Sequence, residues 1–145
     1  MSLKEDVCQS VLCMLEQKIK TVQQSVSSIQ EARNNETKSS AGDKYETGRA
    51  MMQAELDKQG LLLQQLLQQQ ADILKIQKTK SSEEIGFGSW VETNQGNYLI
   101  AVGIGRVEEA FVISLASPLG KALKGLKTGE KTIFQNKEYQ IKSVQ

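Results

Sequence analysis

Ser40-Ala41-Gly42-Asp43-Lys44-Tyr45-Glu46-Thr47-Gly48-Arg49 separates two long stretches of helical periodicity and sets two carboxylates, Asp43 and Glu46, at the start of the second. The segment just before it is polar, with Asn34-Asn35 and Ser39-Ser40, and Gly42 follows, a composition that favours turns over continued helix. The stretch therefore predicts the tip of a helical hairpin. Such a hairpin, if rigid, carries Asp43 and Glu46 to the end of a rod, where they can be inserted into another molecule. Asp43-x-x-Glu46 at a helix start is also close to a capping box, in which the first side chain covers an orphan amide and the glutamate reaches back. The two readings are compatible, but a carboxylate engaged in capping is less free to bind a metal.

On the N-terminal side, Leu3 to Arg33 places apolar residues at Cys8, Leu12, Leu15, Ile19, Val22, Val26 and Ile29, the four-three spacing of a coiled-coil seam. Glu, Lys, Gln and Ser fill the positions between, so only one partner helix has to be covered. On the C-terminal side, Asp43 to Gln77 repeats the spacing with Met52, Leu56, Leu63, Leu66 and Ile73, and Gln59 and Gln70 occupy seam positions where they weaken the contact but can fix register. Gly60 costs roughly 1 kcal/mol against alanine and marks a soft spot. Two such helices fold back antiparallel, and about 30 residues at 1.5 Å each give a rod of roughly 45 Å. The alternative is an oligomeric bundle in which each helix pairs with a second chain.

After the polar stretch Lys78 to Glu84, read as a linker, the period changes. Gly86 to Thr93 reads as a strand, Asn94 to Asn97 as a turn and Tyr98 to Val102 as the return strand; Phe111 to Ala116 is a third. Ser117-Pro118 suits a helix start, with serine as cap and proline at the first helical position, and Leu119 to Leu123 form one short helix. Thr132 to Gln135 and Glu138 to Val144, joined at Asn136-Lys137, form a last hairpin. The predicted fold is α+β: a coiled-coil hairpin over 1–80, its acidic tip near 34–48, then a small antiparallel sheet domain with one short helix over 81–145.

Composition removes several function classes. The 145 residues carry a net charge of +1 and 5% aromatic residues, so the globular core is modest and no overall field drives nonspecific nucleic-acid binding. Histidine is absent, which removes Ser/His and Cys/His nucleophilic catalysis and every His-containing zinc site. Cys8 and Cys13 fall on different helix faces and no CxxC is present. No apolar stretch approaches the roughly 20 residues that span a bilayer and no signal-like start is seen, so a cytoplasmic protein with no membrane partner is expected.

The run Ser114-Leu115-Ala116-Ser117-Pro118-Leu119-Gly120-Lys121-Ala122-Leu123-Lys124-Gly125, followed by Lys127-Thr128-Gly129-Glu130, resembles the C-terminal domain of the bacterial Gre transcript-cleavage factors. Phe87-Gly88-Ser89-Trp90-Val91 looks like that family's opening strand, and Ile29 to Arg33, Gly42 to Glu46 and Lys58-Gln59-Gly60 are similar to its hairpin. The resemblance implies a coiled-coil hairpin with an FKBP-like domain. It also implies RNA polymerase as partner, with the globular domain at the rim of the secondary channel and the hairpin inside it, and no sequence-specific DNA binding. Carried over, Asp43 would help hold a second Mg²⁺ supplied in the polymerase active site, and Glu46 would orient or deprotonate the attacking water, with nascent RNA at the tip. The chain would then have no cofactor of its own and be no enzyme by itself, stimulating the polymerase's nuclease activity. Thr47 stands where the family usually has asparagine, and the segment between Arg33 and Gly42 is longer than the family's. A non-cleaving polymerase-binding modulator and a coiled-coil scaffold are the alternative readings.

Lys121, Lys124, Lys127 and Lys131 form a local basic cluster that either faces polymerase or RNA or simply solvates a helix end. Trp90, Phe111 and Phe134 read as core. Prolyl isomerase activity, which an FKBP-like fold invites, finds few aromatic residues to line a pocket.

Overall fold

Two long helices come first: α1, Leu3–Glu36, and α2, Asp43–Lys78. In this computed structural model the residues described are 2–36, 43–78 and 80–145, the side chains of 36 and 43–47 excepted. Helix α1 begins under a serine: Ser2 accepts from the Glu5 amide through its hydroxyl and from the Asp6 amide through its carbonyl, and Glu5 and Asp6 complement the positive end of the helix. The chain divides into two compact units, one of Met14–Gln70 and one of Met1–Cys13 with Ala71–Gln145.

In the helical unit α1 and α2 run antiparallel. Arg33 donates from Nη1 to Gln53 Oε1 at 2.9 Å, whereas farther back along α1 Val22 shares a groove with Leu66, farther forward along α2. Leu15, Ile19, Val22 and Leu66 are buried, and Val26, Ile29, Met52, Leu56, Gln59, Leu63 and Gln70 are half-buried, so the four-three seam is the packed face. The Gln59 amide does not reach across the seam; it donates to Glu55 Oε1 on its own helix at 3.0 Å.

The other unit holds a six-stranded sheet of β1 (Trp90–Thr93), β2 (Gly96–Ile100), β3 (Gly105–Val107), β4 (Ala110–Ile113), β5 (Lys131–Phe134) and β6 (Lys137–Val144), in the order β3-β4-β2-β1-β6-β5. Helix α3 spans Pro118–Leu123. Every neighbouring pair is antiparallel except β2–β4, which is parallel with Tyr98 beside Phe111 and Leu99 beside Val112. Strand β3 explains the parallel pair. It folds back on β4 through the two-residue turn Glu108-Glu109, with Glu108 at φ 56°, and so lets the chain return to the edge of β2 pointing the same way. That turn carries none of the Gly or Asn signals of a two-residue hairpin, and β3 is only three residues long, so the sequence reading left it unassigned.

Both faces of the central strands are buried. Val91, Tyr98, Ile100, Tyr139 and Ile141 join Leu123 of α3 and Ile85 in one core, while Trp90, Leu99 and Val112 are buried on the opposite face. The same unit buries Val7, Cys8 and Val11 of α1 and Ile73 and Ile76 of α2, and a Cβ built on Gly88 would stand 3.5 Å from Ile76 Cγ1. The helix ends are thus part of the sheet unit. A bulge between Glu92 and Thr93 interrupts β1–β6, and Asn94 carries the pairing past it by accepting from the Gln140 amide at 2.8 Å and donating to the Glu138 carbonyl at 3.1 Å. Phe111 departs from the core reading: it is 40% exposed, at the rim of the core and stacked on Tyr98 with ring centroids 5.7 Å apart.

Candidate functional site

Asp43 is the first residue of α2 and Glu46 lies one turn along it. Their side chains, with that of Thr47, lie outside the described residues, as does the whole segment 37–42. The acidic tip, its longer turn and the capping-box geometry therefore fall outside the description. Beyond it, the first residues whose burial is described are Gly48, half-buried, and Arg49, exposed.

The segment Ser114 to Gly125 is fully described, and its residue types answer to its geometry. Ser117, with extended backbone at φ −67° and ψ 156°, caps α3 by accepting from the Gly120 amide at 3.0 Å, and its hydroxyl donates to the Ser114 carbonyl at 2.6 Å. Pro118 follows at the start of the helix, where its missing N–H costs nothing. Gly120 cannot be replaced in place: a Cβ there would lie 2.0 Å from the Ser114 carbonyl oxygen and 2.8 Å from Ser117 Oγ. After the helix Gly125 turns the chain at φ 82° and donates to the Ile85 carbonyl at 2.8 Å, while Ile85 donates to Leu126 at 2.9 Å. The motif thus forms a rigid capped turn pinned to the start of the sheet unit.

Around this turn the lysines stand in solvent. Lys127 faces Glu84 at 3.8 Å and Lys131 faces Glu138 at 3.6 Å, each pair well exposed and worth little. Lys121 and Lys124 are exposed and have no acidic partner among the described residues. On the core side of the sheet the Tyr98 phenol is pushed up to about 12, first by burial and then by the neighbouring Tyr139 hydroxyl.

Two further features escaped the sequence reading because each joins residues far apart in the chain. An open cleft of about 860 Å³ is lined by Glu5, Asp6, Ser10 and Cys13 of α1 with Glu108 of the β3–β4 turn, and Ser10 donates to Glu108 across it. Among the described residues no group of three or more acidic or thiol side chains is placed to hold a metal ion. A smaller cavity gathers Lys4, the segment Gly86 to Ser89 that leads into β1, Glu84, Gln145 and the polar residues 80–82. Burial lowers the Lys4 ammonium from the ordinary lysine value, and nearby Cys8, itself raised by burial, partly offsets this.

No helix among the described residues is long and apolar enough to cross a membrane. No family model matches the chain, and no curated protein matches it. A similar solved structure is that of GreA factor homolog 1 (Gfh1) of Thermus thermophilus, 19% identical, covering 92% of this chain and 94% of that chain with a TM-score of 0.37. A likeness of that size assigns neither a partner nor a chemistry to this chain.

Proposed function

We propose that the chain is a Gre-like factor of bacterial RNA polymerase, entering the secondary channel with its hairpin tip while the sheet unit docks at the rim. The observation that carries this reading is the Ser114–Gly125 run, the longest stretch resembling the Gre factors. It folds as one capped turn in which serine, proline and the two glycines each have a stereochemical task. A hairpin of two long helices, the second opening with Asp43 and Glu46, supports it in the same order along the chain. Fold alone would not confer the activity, so the reading depends on the tip.

At the tip, Asp43 would offer a carboxylate to the second Mg²⁺ of the polymerase and Glu46 would hold the attacking water and take its proton. Hard oxygen ligands suit Mg²⁺, and two carboxylates are too few to retain it, so the ion would be shared with the polymerase. The test is RNA cleavage in backtracked complexes of the cognate polymerase, comparing the native chain with Asp43→Asn and Glu46→Gln while binding is followed separately. Cleavage by the native chain, reduced about 100-fold or more by either substitution with binding retained, is the expected result. Binding without cleavage would leave a channel-occupying modulator, and absence of binding would leave a coiled-coil scaffold with a capped turn.

A further inference from the structure

Strand β5 ends the sheet and has β6 as its one neighbouring strand. The β5–β6 hairpin closes over Gln135 and Asn136, both left-handed, and in such a two-residue turn the flanking pair, Phe134 and Lys137, exchanges both hydrogen bonds. The alternation makes Thr132 and Tyr139 the next bonded pair, and in phase with it the Ile141 amide donates to the Glu130 carbonyl at 2.9 Å. Lys131 and Ile133 therefore turn their amides and carbonyls away from β6, and among the described residues no other element hydrogen-bonds them. On this edge Ile133 is 75% exposed, more than any other large apolar side chain among the described residues. The edge also lies in the basic part of the chain. Residues 118–142 hold six lysines against two acids, Glu130 and Glu138, so a stretch of charge +4 stands in a chain of net +1 whose remainder carries −3. Helix α3 packs against β5 and brings Lys121 and Lys124 to the same end of the sheet, and the exposed pairs Lys127–Glu84 and Lys131–Glu138 offset that charge only in part.

An unpaired edge with an apolar side chain standing on it is a template for another strand, and lysine on such an edge selects which strand can join. A second copy is disfavoured, because pairing two β5 edges about a two-fold axis would bring two stretches of charge +4 together. The same charge favours a strand of opposite sign. Nucleic acid would answer the lysines but neither the outward amides and carbonyls nor Ile133. We propose that β5 is a docking edge for an extended peptide segment of a partner protein, acidic and rich in β-branched residues, which adds to the sheet as a seventh strand. Main-chain hydrogen bonds to Lys131 and Ile133 hold the segment, an apolar residue of the peptide covers Ile133, and its carboxylates meet Lys131 and the neighbouring lysines. This docking does not depend on the polymerase reading.

The experiment is a titration of the full chain with the blocked peptide acetyl-Glu-Val-Thr-Val-Thr-Val-Glu-amide, followed by amide NMR shifts and amide exchange. Saturable shifts centred on Lys131 to Phe134 are expected, with a dissociation constant on the order of 1 mM and slowed exchange of the Lys131 and Ile133 amides. The same peptide with lysine in place of both glutamates should bind about tenfold more weakly. Ile133→Pro removes an outward amide and leaves the bonds of Thr132 and Phe134 to β6, so affinity should fall about tenfold with the remaining spectrum native. Should proline disturb the hairpin, Ile133→Ser carries the same test with a loss of about threefold. Absence of saturable shifts, shifts centred on Lys121 and Lys124 alone, equal binding of the lysine peptide, or unchanged affinity in the variants overturns the proposal. So does tighter binding of a uridine heptanucleotide at β5, which assigns the edge to nucleic acid, or β5 shifts that grow with protein concentration alone, which assign it to a second copy.

Discussion

Gly120 and Gly60 illustrate two different reasons for a glycine. At Gly120 the space is taken, by the Ser114 carbonyl oxygen at 2.0 Å from a built Cβ, so Gly120→Ala should force the β4–α3 turn apart and destabilise the sheet unit by about 2–3 kcal/mol. At Gly60 nothing lies within 4 Å of a built Cβ and the backbone is helical, so Gly60→Ala should stabilise the helical unit by about 1 kcal/mol. Urea melts of the two variants check both signs, and equal effects would contradict the geometry. Tyr98 gives a pH dependence. In the unfolded chain its phenol titrates near the ordinary value of 10.0, in the folded chain near about 12. Between these values the native state holds more protons, so the Tyr98 contribution to stability falls as pH rises through that window. Absorbance titration should show a late phenol that is lost in Tyr98→Phe. Lys4 acts with the opposite sign: its folded pKa is lowered, so its contribution rises with pH up to the ordinary value of 10.5.

At the scale of elements, the helical seam is regular in spacing but thin in burial. Among the described residues between 14 and 70, only the apolar side chains of Leu15, Ile19, Val22 and Leu66 are buried, and half-buried Gln59 spends its amide on Glu55 of its own helix. A glutamine that makes no cross-helix hydrogen bond does not specify register, so Gln59→Leu should raise stability by about 1 kcal/mol without altering helix content. Far-UV circular dichroism against urea measures it, and a loss of stability would mean that the amide matters to pairing. In the sheet, the β5–β6 hairpin closes over Gln135 and Asn136, both at positive φ, 51° and 65°. The sequence reading began β6 at Glu138 and took Asn136-Lys137 as the turn. The two-residue turn with left-handed backbone shifts it by one, since its twist matches that of the strands.

For the whole molecule, the sheet unit is assembled from both ends of the helical stretch. Val7, Cys8 and Val11 from α1 and Ile73 and Ile76 from α2 are buried in it, so residues 81–145 by themselves lack part of their core. A fragment of residues 81–145 should therefore melt well below the full chain, or expose enough apolar surface to aggregate, whereas a compact fragment of undiminished stability would contradict this packing. The described residues of 14–70 bury fewer side chains and should exchange their amides earlier than the sheet core around Leu99, Ile100 and Val112. The polymerase assay belongs to this scale as well, because the reading needs the hairpin and the sheet unit together.

What the sequence determined by itself is what is local or periodic. The four-three repeat fixed both helices, and the change of period after Lys78 marked the passage to strands. Ser117-Pro118 and Gly120 encode a capped turn in residues close enough to hydrogen-bond one another. The placing of Asp43 and Glu46 at the start of a helix is local in the same sense, whereas the role proposed for them comes from the resemblance and not from their spacing. Tertiary structure decided what depends on residues distant in the chain. The parallel β2–β4 pair rests on a three-residue strand with no turn signature, and the exposure of Phe111 follows from its place at the rim of the core. Likewise Lys4 and Ser89 line one cavity only because the first turn of α1 lies beside the segment leading into β1, and no periodicity records a neighbourhood across more than 80 residues.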